Sequence, residues 1–119
     1  MAMEKDATVL SLPTMKQLQT VGIHFDGKKV TVDLDPVRIS ISNEEHVLWT
    51  LFGEATLVSI EFKMNPFDGP VDIHPKKKHA SSAVVTDKKH LNKLFKYTVT
   101  VADLNGKACS LDPQVEVMP

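Results

Sequence analysis

The segment FKYTVTV, from Phe95 to Val101, places apolar and polar side chains in strict alternation. Successive side chains of a β-strand point to opposite faces, so this period of two commits Phe95, Tyr97, Val99 and Val101 to a buried face and Lys96, Thr98 and Thr100 to solvent. The pattern recurs along the chain. In KKVTVDL, Val30, Val32 and Leu34 alternate with Lys29, Thr31 and Asp33. After Asp35-Pro36 the alternation resumes in the opposite phase, with Val37, Ile39 and Ile41 inward. Proline cannot donate to a ladder, and a one-residue slip at such a point carries one long strand from one sheet into another.

HVLWTLF directs Val47, Trp49 and Leu51 to one face and leaves Leu48 and Phe52 on the other, the composition of a central strand. LVSIEFKM predicts Val58, Ile60, Phe62 and Met64 inward, and SSAVV a short edge strand. Asn65 to His79, with three prolines and a glycine, reads as a long connection. TDKKHLNKLF predicts one helical turn capped by Thr86 or Asp87. ADLNG is a hairpin turn, and CSLDPQVEVM is a final strand with Leu111, Val115 and Val117 inward. MKQLQTVGIHFDG reads either as a short helix or as an added strand at Val21–Phe25, hairpinned through Asp26-Gly27.

About seven short strands separated by turns predict an all-β, antiparallel Greek-key sandwich of cupredoxin-like or immunoglobulin-like type. The predicted division is an N-terminal segment, residues 1–28, followed by the sandwich, residues 29–119. At 119 residues the chain has the size of one domain, and 42% hydrophobic residues provide a core without staples. One cysteine makes no internal disulfide, and no run approaches the roughly 20 apolar residues of a membrane span. The start MAMEKDATVLSLP has no basic leader or apolar core of a signal peptide, which makes the cytoplasm the expected compartment.

Two stretches resemble a known family. DPVRISISNEEHVLWTLFG resembles the second and third strands of cupredoxins, which run through a turn into a strand carrying tryptophan. FKYTVTVADLNGKACSLDPQVEVMP is similar to the closing hairpin of copper-free cupredoxin-like domains. The likeness spans about residues 29–119 and is anchored by Trp49, Phe62, Tyr97 and Leu111-Asp112-Pro113. A copper-binding member needs two imidazoles and a thiolate, often with an axial methionine. Its first histidine would follow the tryptophan strand, where this chain has Gly53-Glu54-Ala55-Thr56. Its cysteine would end the strand occupied by Val99 and Val101, and no histidine follows His90. The resemblance therefore implies a fold with no copper ligand set and no cofactor. Cys109 shares parity with Leu111 and Val115, which predicts a buried, inert thiol used for packing.

No P-loop, dinucleotide fingerprint or G-x-S-x-G elbow occurs, so nothing points to an enzyme. Net charge is −1, but between Val71 and Thr98 seven lysines face two aspartates. If that region forms one rim, Lys76, Lys77, Lys78, Lys88 and Lys89 make a basic contact surface. Phe67 in NPFDGP is either an exposed anchor for a partner or a plug over an open end of the sandwich. His74 and His79, with Asp72, carry suitable metal-ligand chemistry, but D-x-H-x4-H in a loop is no established metal spacing and reads as solvated histidines. The expected function is a non-catalytic module that binds another protein. The alternatives are a metal or redox protein using the loop histidines, and a binder of anionic surfaces through its lysines.

Overall fold

A computed structural model describes residues 18–119. Its ten strands are β1 Leu18–Phe25, β2 Val30–Val32, β3 Val37–Ser40, β4 His46–Phe52, β5 Thr56–Phe62, β6 Asp72–His74, β7 His79–Ser81, β8 Leu94–Ala102, β9 Ala108–Leu111 and β10 Gln114–Met118. Two single 3-10 turns, Pro75–Lys77 and Lys88–His90, are the helical elements among the described residues. One sheet has the order β2-β1-β4-β7-β6; the other has β3-β10-β8-β5, with β9 extending the β10 side of β8. No helix among the described residues is long and apolar enough to cross a membrane.

The all-β sandwich expected from alternation is the architecture observed, with ten strands rather than about seven. Its sheets are mixed rather than purely antiparallel: β1 pairs parallel with β4, and β10 parallel with β3. The phase slip at Asp35-Pro36 accounts for the first of these. β2 lies in one sheet and β3, four residues later, in the other. The chain keeps its direction while it changes sheet, so when it returns as β4 it runs parallel to β1. The segment Leu18–Phe25 is the added strand, hairpinned to β2; Met15–Gln17, where the alternative helix would begin, lie outside the described residues.

Most of the inward set is as alternation requires. Trp49, Val47, Val99 and Val101 are wholly buried, as are Phe95 and Tyr97 to within a few per cent. Trp49 donates its indole N–H to the Tyr97 hydroxyl at 3.1 Å, joining the two sheets through the middle of the core. Four departures have physical causes. A bulge between Leu57 and Ser59 in β5 adds one residue against β8, turning Leu57 and Ile60 inward and leaving Val58 exposed. Met64 lies beyond the end of β5 and is exposed. Leu34 follows the end of β2, where the chain leaves the sheet, and is exposed. The short strand expected at SSAVV is instead His79–Ser81, and it lies between β4 and β6 rather than at an edge, because the long connection supplies β6 as a further strand.

The last predicted strand divides at Asp112-Pro113, but its register against β8 carries through, with Val99 opposite Leu111 and Phe95 opposite Val115. Proline interrupts the ladder only as a donor: its carbonyl still accepts from the Tyr97 amide at 2.9 Å. Asp87 caps the second 3-10 turn, its carboxylate accepting from the Lys89 amide at 2.9 Å.

Candidate functional site

β4 ends at Phe52, and the turns β1–β2, β4–β5 and β8–β9 gather at that end of the sandwich. The positions at which the family resemblance would place copper ligands lie here. Gly53 has φ 118°, and a Cβ at this residue would collide with the Phe25 carbonyl oxygen, so the turn has room for no side chain. The Gly53 carbonyl accepts from Lys78 Nζ at 2.8 Å, and Ala55 is buried. Val99 and Val101 belong to the core.

Cys109 stands opposite Val101 in β9. It is half-buried at the margin of the core, less enclosed than its parity predicts, with Sγ 3.7 Å from the Lys28 carbonyl oxygen. Met118 ends β10, nine residues further along one continuous register, roughly 30 Å away at about 3.3 Å per residue. The two residues whose identities evoke a copper centre therefore cannot share an ion.

The lysines expected on one rim are divided. Lys76 and Lys77 form the first 3-10 turn, and the Lys78 carbonyl accepts from the Leu51 amide at 2.8 Å, which fixes all three at the end where β4 stops. Lys88 and Lys89 belong to the second 3-10 turn, next to Asn92 and Lys93, which bond to Val117 near the end of β10. That is the opposite end, because β10 runs antiparallel to β8 and finishes beyond the residues opposite Leu94. Phe67 is 6% exposed and packs edge-on against Phe62 and Trp49, with centroids at 5.4 and 6.5 Å. It is a core residue, and the reading of Phe67 as a partner anchor is corrected by its burial.

Sequence reasoning missed what gathers where β4 stops. Lys28, Lys29, Lys76, Lys77 and Lys107 are exposed there, together with Leu104 at 78% and Phe52 at 52% exposure. An open depression of about 430 Å³ runs between Phe25, Glu54 and Leu104. Two nearby carboxylates are committed to their own turns. Asp26 Oδ1 accepts from the amides of Lys29 and Lys28 at 2.9 and 2.8 Å, which holds this carboxyl below its ordinary range. Asp103 Oδ1 accepts from the amides of Asn105 and Lys107 at 2.9 and 2.8 Å. In the β8–β9 turn Gly106 takes positive φ, at 83°.

The outer face of the β2-β1-β4-β7-β6 sheet carries His24, His74 and His79. His24 stacks on Phe52 at 5.1 Å and 16°, with Nε2 3.9 Å from Asp33 Oδ2. Asp33 lies over Gly22, whose amide donates to its Oδ1 at 2.8 Å. His74 and His79 are not in a loop: they stand directly opposite each other on β6 and β7. The signal was present in the sequence, since the four residues between them are the length of a hairpin loop. No group of three or more His, Cys, Asp or Glu side chains that could hold a metal ion is found among the described residues. Comparison of the chain with protein-family models gives no match, and comparison with curated proteins gives none.

Proposed function

We propose that this chain is a copper-free, cupredoxin-like β-sandwich that acts without catalysis as a protein-interaction module. The observation that carries the reading is the surface where β4 stops: exposed Leu104 and Phe52 set among Lys28, Lys29, Lys76, Lys77 and Lys107, which outnumber Asp26, Glu54 and Asp103 at the same end. Large apolar side chains ringed by charge are the composition of a contact patch, with the apolar groups supplying affinity and the rim supplying steering. The partner of matching chemistry is an acidic protein surface with an apolar recess. The cupredoxin-like assignment draws its support from the Trp49–Tyr97 tether and the carbonyl of Pro113 in the ladder, the anchor residues of the resemblance.

The test is crosslinking capture from cell extract by the wild-type chain and by a Leu104→Asp/Lys76→Glu/Lys77→Glu variant. A discrete acidic partner captured by the wild type should fall at least about tenfold with the variant, since two or three hot-spot changes remove about 1–2 kcal/mol or more. Equal capture by both rejects this surface. Binding to anionic vesicles that rises steeply as salt is lowered, with no protein captured, would favour the anionic-surface reading instead.

A further inference from the structure

We propose that His74 and His79 form a two-imidazole binding site for a divalent first-row transition-metal ion, with Asp72 as the positioning residue. This is independent of the contact surface proposed above. β6 and β7 are antiparallel, and their register sets His74 against His79, Ile73 against Ala80 and Asp72 against Ser81. Ala80 is buried, so the histidines project together from the outer face. Their ring centroids are 4.9 Å apart, at 46° to each other. Zinc or copper takes imidazole nitrogens at about 2.0–2.1 Å, which needs the two nitrogens roughly 3 Å apart, within reach of rings at this separation.

Two further observations fit a ligand. His74 Nε2 lies 2.8 Å from Asp72 Oδ2. With Nε2–H donating to the carboxylate, Nδ1 keeps the lone pair that a metal requires, the usual carboxylate–histidine–metal arrangement. His79 Nδ1 is shielded from solvent and has no hydrogen-bond partner among the described residues, and a buried polar nitrogen without one calls for a ligand to complete it. The hairpin is held by the Pro75–Lys77 turn, whose Pro75 carbonyl accepts from the Lys78 amide at 3.1 Å. Two protein donors leave the remaining positions of the coordination shell to water. Lys76 and Lys77 lie beside His74 and weaken the binding of every divalent cation alike, so the choice among ions falls to their affinity for imidazole. In that order Cu(II) comes ahead of Ni(II) and Zn(II).

The experiment titrates the full chain with CuCl2 and with ZnCl2 by calorimetry, and follows the imidazole resonances by NMR as Cu(II) is added. The expected result is one equivalent of Cu(II), bound more tightly than Zn(II), with the His74 and His79 signals broadened first. His74→Ala and His79→Ala should each weaken binding by more than about tenfold, Asp72→Asn by about tenfold, and His24→Ala should leave it unchanged. A wild-type chain that takes up no ion, or a His74→Ala/His79→Ala variant that binds as the wild type does, overturns the proposal. The broadening pattern needs no variant, so signals of His24, His46 or His90 leading those of the pair also overturn it.

Discussion

Trp49→Ala should lower stability by about 3–5 kcal/mol, the range for removing a large aromatic from a packed core. Trp49 is wholly buried in β4, the central strand of its sheet, and meets Tyr97 at 5.6 Å, Phe62 at 6.5 Å and Phe67 at 6.5 Å. Alanine here leaves a cavity bounded by three aromatic rings from three different segments, which cannot collapse without moving both sheets. It also deprives the Tyr97 hydroxyl of its donor. Denaturant unfolding followed by circular dichroism measures the loss. A change below about 1 kcal/mol would show that the sheets do not meet through this residue. Trp49 is the only tryptophan, so its fluorescence in the wild-type chain reports directly on the centre of the core.

Tyr97→Phe should cost about 1–3 kcal/mol, since it keeps the ring and removes only the acceptor of a buried indole N–H. For a domain of this size that corresponds to a fall in Tm of roughly 5 °C or more. The same residue sets an alkaline limit on the wild type. Burial raises the Tyr97 hydroxyl from 10.0 to about 12, with the Trp49 hydrogen bond acting in the opposite direction. Above pH 10 the unfolded chain releases this proton while the folded chain retains it. The stabilising contribution is therefore fully present below about pH 10 and is lost as pH rises toward 12, up to about 2–3 kcal/mol at 1.4 kcal/mol per pH unit. Tyr97 is the only tyrosine, so phenolate absorbance titrates it alone. The difference between wild type and Tyr97→Phe isolates the phenol. Phenolate formation near pH 10 in the folded protein would contradict the burial of Tyr97.

Side-chain parity was legible wherever the backbone stayed regular. β8 buries Phe95, Tyr97, Val99 and Val101 as written, and β4 buries Val47, Trp49 and Leu51. Parity failed at the start of β5, where the bulge beside Val58 reverses the phase, and held beyond it for Ile60 and Phe62. A bulge is fixed by how one strand fits its neighbour, and the residues LVSIEF do not mark it. The candidate surfaces were less legible. Lys76–Lys78 and Lys88–Lys89 are close in sequence, yet the chain runs from one end of the sandwich to the other between them. Lys28 and Lys107 are far from Lys76 in sequence and share its end. Phe67 sits between two prolines in what reads as a surface loop, and its burial follows from the place of its ring between Phe62 and Trp49.

Local patterning is enough to make the chain a β-protein, to set which faces of β4 and β8 are buried, and to place the change of sheet near Asp35-Pro36. These follow from a period of two and from the missing N–H of proline, both local properties of the backbone. The tertiary structure alone decided the parallel pairing of β1 with β4, the separation of Cys109 from Met118, the Trp49–Tyr97 bond and the facing of His74 and His79. Each depends on which strands become neighbours and in what register. That choice is made by the fit of distant segments around a shared core, and no single segment carries it.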